Sequence, residues 1–196
     1  MNVTEPILSE RLAEAFALAL DLHRRQSRKG TQIPYLSHPM AVAALVLEDG
    51  GDEEQTIAAL LHDGPEDQGG RATLEEIRRR FGDGVARIVD GLTDTYESPK
   101  PPWAERKRAY LARLRGEDAA VLRVAAADKV HNARSILEDY RELGERLWER
   151  FNAGPQEVLW YFRELVEILG QRHPGRLADE LRRTVAELEI LRAEAV

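Results

Sequence analysis

The sequence predicts an all-α fold, and three observations carry that prediction. Apolar residues recur at steps of three and four along most of the 196-residue chain, the period of a helix with one buried face. No segment alternates apolar and polar positions as a half-buried strand would. The composition is rich in Ala, Leu, Glu and Arg and only 6% aromatic, which favours helix over sheet.

The elements follow in order. A first helix is expected from about Leu8 to Gln26, with Leu12, Phe16, Leu20 and His23 as its apolar stripe. Gly30 and Pro34 then break the pattern. A second helix should begin near Ser37, with Pro39 tolerated in its first turn, and end before Glu48-Asp49-Gly50-Gly51-Asp52. A third should start at Asp52, which can form a capping box with Gln55. It leads into Leu60-Leu61-His62-Asp63-Gly64-Pro65-Glu66-Asp67-Gln68. Thr73 and Glu76 repeat the capping-box spacing at the head of the next helix, which Phe81-Gly82-Asp83-Gly84 closes. A short helix should follow over 85–93, then a proline-rich loop over 95–102. Helices are expected from Trp103 to about Leu114, from Asp118 to about Tyr140, over 141–150, and over 155–171 with Pro155 in the first turn. A last, partly solvated helix should run from Arg176 to Glu194. Its i, i+4 charge pairs suit an outer position.

Composition also removes whole classes of function. The net charge of −7 argues against nucleic acid as a partner, although local Lys and Arg can still hold an anionic ligand. The chain has no cysteine, which excludes disulfides, thiolate metal sites and cysteine nucleophiles. The first residues lack a basic start followed by an apolar stretch, so no signal peptide is expected. The longest apolar run, Met40–Leu47, is too short to span a bilayer. A cytoplasmic protein with no membrane association is expected, with a homo-oligomer an open alternative. Neither side of the 94–102 loop holds all the candidate ligands, so one domain over 1–196 is the simplest division.

The chemistry concentrates in a few positions. His62 and Asp63 are adjacent at the end of an apolar helix. Neighbours on a helix point about 100° apart, so both reach one ion only beyond the helix edge, with other ligands coming from elsewhere. His38 opens the preceding helix, and Asp128 follows a strongly apolar stretch in Val124–Ala127. A buried, unpaired aspartate is costly, and a cation is one natural partner. Together these four make a mixed nitrogen–oxygen donor set for a metal ion. Taken singly, each has a plainer reading: His62-Asp63 as a solvated helix end, Asp128 as the partner of Arg123 or Lys129.

The ordered blocks His23–Gly30, Pro34–Pro39, Ala59–Asp67, Phe81–Thr93 and Ala126–Arg134 carry a family resemblance. The chain resembles the HD-domain metal-dependent phosphohydrolases. Among them it resembles the hydrolase domain of RelA/SpoT-type alarmone enzymes, in the stand-alone small alarmone hydrolase form. The likeness covers roughly residues 8–170, with 171–196 as a C-terminal helical extension. It implies an HD-type helical bundle with an additional C-terminal helix. It also implies metal ligation by His38, His62, Asp63 and Asp128, with manganese as the usual ion and another divalent transition metal as the alternative. Glu66 and Asp67 match the acidic pair assigned to water activation and proton transfer, while Arg28, Lys29, Asn132 and Ser135 match substrate-contacting positions. The implied reaction is hydrolysis of the 3′-diphosphate of guanosine alarmones, ppGpp and pppGpp, to GDP or GTP and pyrophosphate. The alternatives are a phosphatase for another nucleotide, such as NADPH or a nucleoside monophosphate, and a non-catalytic nucleotide-binding module.

Helical geometry agrees with those roles. Glu66 follows His62 by four residues and Asp67 follows Asp63 by four, so each carboxylate would stand one turn beyond a ligand. Asn132 follows Asp128 by four on the same helix. The chain departs from many members of the family at Pro65, where they carry an aliphatic residue, and at Gln68, where they carry threonine. A proline can turn the chain early, which bears directly on where Glu66 and Asp67 point.

Overall fold

A computed structural model describes residues 8–195, and every described element is helical. The order is α1 (Glu10–His23), α2 (Ser37–Glu48), α3 (Glu53–Leu61), α4 (Gly64–Asp67), α5 (Arg71–Leu92), α6 (Trp103–Leu114) and α7 (Ala119–Leu143). A 3-10 segment (Gly144–Arg150), α8 (Pro155–Arg172) and α9 (Arg176–Ala195) complete it. The expected all-α bundle with an additional C-terminal helix is what forms.

Two helices make its centre. α3 packs against α1, α2, α5 and α7, and α7 also meets α2, α5, α8 and α9. Both sequences explain the placement. Thr56 to Leu61 are all buried, so α3 has no solvent face over its last two turns, the mark of a core helix. Val124 to Asp128 are likewise buried without interruption on α7. Each core helix therefore delivers polar groups, His62 from one and Asp128 from the other, into the interior.

Caps mark several boundaries. Ser9 accepts from Arg11 N, Asp52 from Gln55 N, and Asp118 from Ala120 N and Val121 N; each satisfies donors that a helix start leaves unpaired. α9 buries Leu177, Leu181, Val185 and Leu188 against α7 and α8, and its other face is solvated, as its charge pattern predicts.

Several expectations are corrected. α1 ends at His23 rather than Gln26, because the following residues form a tight paired turn: Arg28 N donates to Ile33 O (2.8 Å) and Tyr35 N to Gln26 O (2.8 Å). Phe16 and Leu20 are exposed, and the buried face of α1 runs through Ala15, Leu18, Ala19 and His23. Two of these are alanines, too small to stand out as a stripe, on the helix that packs against α3. The Thr73–Glu76 capping box does not form. α5 begins at Arg71, and Thr73 turns its hydroxyl back to donate to Gln68 O (2.6 Å). The expected 141–150 helix is divided between the end of α7 and the 3-10 segment.

The expected break at residues 81–84 is present as a kink inside α5. Gly82 sits at φ 91°, ψ 172°, a region essentially reserved for glycine. Gly82→Ala should destabilise the fold by about 1–3 kcal/mol, seen as a lower denaturant midpoint at an unchanged slope.

No described helix is long and apolar enough to cross a membrane.

Candidate functional site

α2, α3 and α7 bring three side chains to one point. The ligand-capable atoms of His38, His62 and Asp128 all lie within 4.8 Å of one another, and all three residues are buried. His38 Nε2 stands 3.1 Å from Asp128 Oδ1 and 3.4 Å from Asp63 Oδ2. His62 Nε2 stands 3.0 Å from Asp63 Oδ2. Each group is held from behind. His62 Nδ1 lies 2.8 Å from the Ala59 carbonyl, so in the neutral ring Nδ1 donates and Nε2 turns its lone pair inward. Tyr35 donates to Asp63 Oδ2 at 2.6 Å, and Asn132 donates to Asp128 Oδ1 at 2.6 Å.

His38 Nδ1 lies 2.8 Å from His131 Nδ1. Burial and the His38 charge hold His131 down to about 4, so the neutral His131 ring accepts and His38 donates. When His38 loses its charge, this bond keeps the remaining proton on Nδ1 and leaves the Nε2 lone pair facing the cluster. His131→Ala should therefore weaken metal binding about 10–100-fold in a chelator-competition titration, with little change in helix content by circular dichroism.

The electrostatics of the cluster call for positive charge. Burial opposes ionisation of His62, yet the Asp63 and Asp128 carboxylates outweigh it and hold His62 well above the usual imidazole value. Burial likewise pushes Asp63 and Asp128 up, but the imidazoles, and for Asp128 the Lys129 ammonium, bring both well below the carboxylate range. A divalent cation satisfies the same demand. The buried His62 Nε2 has no hydrogen-bond partner, and imidazole with carboxylate suits a first-row transition ion. The residues present fit a divalent metal.

These groups open on a cavity of about 180 Å³ that Glu66, Asp67 and Asn132 also line. Pro65 does not displace the acidic pair. It occupies the first turn of α4, where a missing N–H costs nothing. Asp67 N bonds to Asp63 O (3.0 Å) and Gln68 N to Gly64 O (2.8 Å), so the turn persists across it. Glu66 accepts from Asp94 N (3.2 Å) and from Lys100 Nζ (2.8 Å). Asp67 accepts from Gln26 Nε2 (2.8 Å), and Gln68 donates to Gln26 Oε1 (3.0 Å). Gln68 thus braces Asp67 through Gln26.

The remaining predicted residues are more dispersed. Arg28 reaches the cavity edge by donating to Asn132 Oδ1 (3.3 Å). Lys29 is exposed and donates to Asn152 (2.9 Å). Ser135 donates to His131 O of its own helix (3.0 Å). His23 packs on Tyr35 with ring centroids 5.0 Å apart, and His173 lies 3.4 Å from Asp49. Neither joins the cluster. Sequence reasoning did not single out Tyr35, Asp94, Lys107 or Tyr110, which also line the cavity. Tyr35 lies inside the Pro34–Pro39 block, three residues before His38, and Asp94 directly follows the Phe81–Thr93 block; those positions were the available signal.

An HD domain model matches residues 15–156, most of the chain. The chain belongs to the HD domain family. A probable guanosine-3′,5′-bis(diphosphate) 3′-pyrophosphohydrolase of Synechocystis sp. is 38% identical over 130 residues, covering 64% of this chain and 16% of that protein. The bifunctional (p)ppGpp synthase/hydrolase SpoT of Escherichia coli K12 is 31% identical over 176 residues, covering 88% of this chain and 24% of SpoT. The chain spans about a sixth to a quarter of the length of these curated relatives. Among solved structures, a metazoan ortholog of SpoT described as hydrolysing ppGpp superposes with a TM-score of 0.75 at 24% identity, covering 92% of this chain and 97% of that one. At that identity the likeness speaks for the fold. The Listeria monocytogenes EGD-e protein lmo0812 gives a TM-score of 0.67 at 30% identity, covering 81% of this chain and 99% of that one. The HD-domain fold and the resemblance to alarmone hydrolases read from the sequence both hold.

Proposed function

We propose that this HD-domain protein is a manganese-dependent hydrolase that removes the 3′-diphosphate of ppGpp and pppGpp, releasing pyrophosphate and GDP or GTP. The observation that carries the reading is the convergence of His38, His62, Asp63 and Asp128 with Glu66 and Asp67 around one cavity. The relatives named as a probable guanosine-3′,5′-bis(diphosphate) 3′-pyrophosphohydrolase and as a bifunctional (p)ppGpp synthase/hydrolase support the substrate. Residues 1–196 would act as one HD-type unit in the cytoplasm.

In this reading His38, His62, Asp63 and Asp128 hold the ion. When bound, a divalent ion polarises a phosphoryl oxygen and makes a nearby water more acidic. Glu66 and Asp67 lie one turn beyond the ligands. The acidic pair takes a proton from the attacking water as its oxygen bonds to phosphorus, and a proton is returned to the departing ribose 3′-oxygen. Tyr35 and Asn132 keep the two aspartates in place. Arg28, tied to Asn132, stands at the rim where a purine or its phosphates would lie. Lys29 and Ser135 are assigned to the more distant nucleotide contacts. The cavity is too small for a whole nucleotide, so it would take the phosphate end and leave the nucleoside outside.

The test is pyrophosphate release from ppGpp by metal-stripped protein after single metals are restored, beside NADPH and nucleoside monophosphates. Release from ppGpp with manganese supports the assignment. Turnover of NADPH or monophosphates alone would move the protein to a nucleotide phosphatase, and tight binding without turnover to a sensor.

A further inference from the structure

Beyond the metal-binding cluster, the cavity is walled by four side chains that the chemistry above leaves unused. Lys129 Nζ lies 5.1 Å from the centre of the Tyr110 ring and 5.9 Å from that of Tyr161. Lys107 Nζ lies 5.2 Å from the Tyr161 ring and 6.0 Å from the Tyr110 ring. Two ammonium groups and two phenols therefore converge in one small volume. All four line the same cavity as His38, His62 and Asp128.

The phenols are the unusual part. Tyr110 is 2% exposed and Tyr161 is 6% exposed, yet neither hydroxyl has a hydrogen-bond partner. Burying an unpaired hydroxyl is unfavourable, and such groups generally mark a bound water, ion or ligand. Burial pushes both phenols up, Tyr110 to about 12, so at neutral pH both keep their protons and are donors.

Charge points to the same kind of ligand. Asp94 Oδ2 is shared by Arg106 and Lys107 (3.0 Å to Lys107), and Asp128 Oδ2 pairs with Lys129 at 2.6 Å. Lys107 and Lys129, the two cations that line this end of the cavity, face Asp94 and Asp128 there, and Arg106 is shared between Asp94 and Glu66 (3.9 Å). Of the other acids, Glu66 and Asp67 share Lys100 (2.8 and 3.6 Å), and Asp63 faces the imidazoles. Burial lowers the Lys107 ammonium from its usual value, so it gains from an anionic neighbour.

We propose that Lys107, Lys129 and the hydroxyls of Tyr110 and Tyr161 form a subsite for the distal phosphate of a diphosphate group. The proximal phosphate would sit at the metal cluster, so the inference rests on reading that cluster as a metal centre. The subsite makes the protein selective for a diphosphate ester over a nucleotide carrying a single ribose phosphate. It also makes pyrophosphate, rather than orthophosphate, the anion that the emptied site retains.

The test uses the inorganic anions alone. Manganese-loaded protein, freed of excess metal, is titrated calorimetrically with pyrophosphate and with orthophosphate, and its manganese content is measured afterwards. Wild type should bind pyrophosphate at least about tenfold more tightly than orthophosphate. Lys107→Met should remove about tenfold or more of the pyrophosphate affinity, the effect of one charge-assisted contact, while orthophosphate and manganese affinities stay within about twofold. Tyr161→Phe deletes one hydroxyl and keeps the ring. It should weaken pyrophosphate about three- to tenfold, and it decides the matter if the lysine variant does not fold. Equal affinity of wild type for the two anions overturns the proposal, as does wild-type pyrophosphate binding by Tyr161→Phe and by any folded Lys107→Met. Because no nucleotide is used, failure to hydrolyse ppGpp would refute the alarmone reading and leave this result standing, and the reverse holds equally.

Discussion

His62→Ala should abolish tight metal binding and lower turnover about 10³-fold or more. His62 is 3% exposed, its Nε2 has no hydrogen-bond partner, and its Nδ1 is fixed by the Ala59 carbonyl. The ring is therefore aimed at the cluster, with Asp63 Oδ2 3.0 Å from its Nε2. A metal contributes several kcal/mol to stabilising charge in a phosphoryl-transfer transition state, and each 1.36 kcal/mol is about tenfold in rate. Asp128→Asn should act similarly, and should also cost stability, because the Lys129 ammonium 2.6 Å away loses its counter-charge in a largely buried position. Metal content by elemental analysis and turnover are measured together. Retention of full metal occupancy by His62→Ala would remove that residue from the ligand set. Asp63 and Asp128 raise His62 well above its usual imidazole value, so an ion bound there would displace a proton. Metal binding should release protons, and apparent affinity should rise with pH.

Glu66→Gln should lower turnover about 10²–10⁴-fold, the range for losing a general acid or base, with metal affinity unchanged. The amide keeps the size of the side chain and can still accept from Asp94 N, which bonds Glu66 at 3.2 Å. It loses the charge paired with Lys100 at 2.8 Å. The separation between turnover and metal affinity is the informative part. A ligand role would move both, and a structural role would appear as a lower melting temperature. Turnover within threefold of wild type would place proton transfer elsewhere in the cavity, with Asp67→Asn as the next variant.

The candidate ligand cluster was legible because its members sit at unusual places in the helical pattern. His62 and Asp63 interrupt the end of an apolar helix, and Asp128 follows four buried residues, Val124 to Ala127, on α7. The i, i+4 steps to Glu66, Asp67 and Asn132 extended the reading, and the Asp67 N to Asp63 O bond shows that the turn on which it depended is kept. Pro65 and Gln68 could not be interpreted in isolation. Their effect depends on a first-turn position in a four-residue helix and on Gln26, 42 residues away from Gln68.

Other misreadings share one cause. The stripe assigned to α1 favoured bulky residues, but the helix packs through Ala15 and Ala19, both fully buried. The Thr73–Glu76 spacing matched a cap, yet α5 starts at Arg71, which puts Thr73 inside the first turn with its hydroxyl donating to Gln68 O. Local patterns rank what a segment prefers by itself, and packing chooses among the alternatives.

By itself the sequence determined the helical class, the order of most helices, and the residues fit to hold a metal. All of these follow from period, caps and residue chemistry, which are local. Only the tertiary structure decided which groups share the cavity. Lys107 and Tyr110 lie on α6, Lys129 on α7 and Tyr161 on α8, and nothing in their sequence spacing brings them together. Their meeting depends on how α6, α7 and α8 pack, and packing is set by the summed shape of the whole core rather than by any one segment.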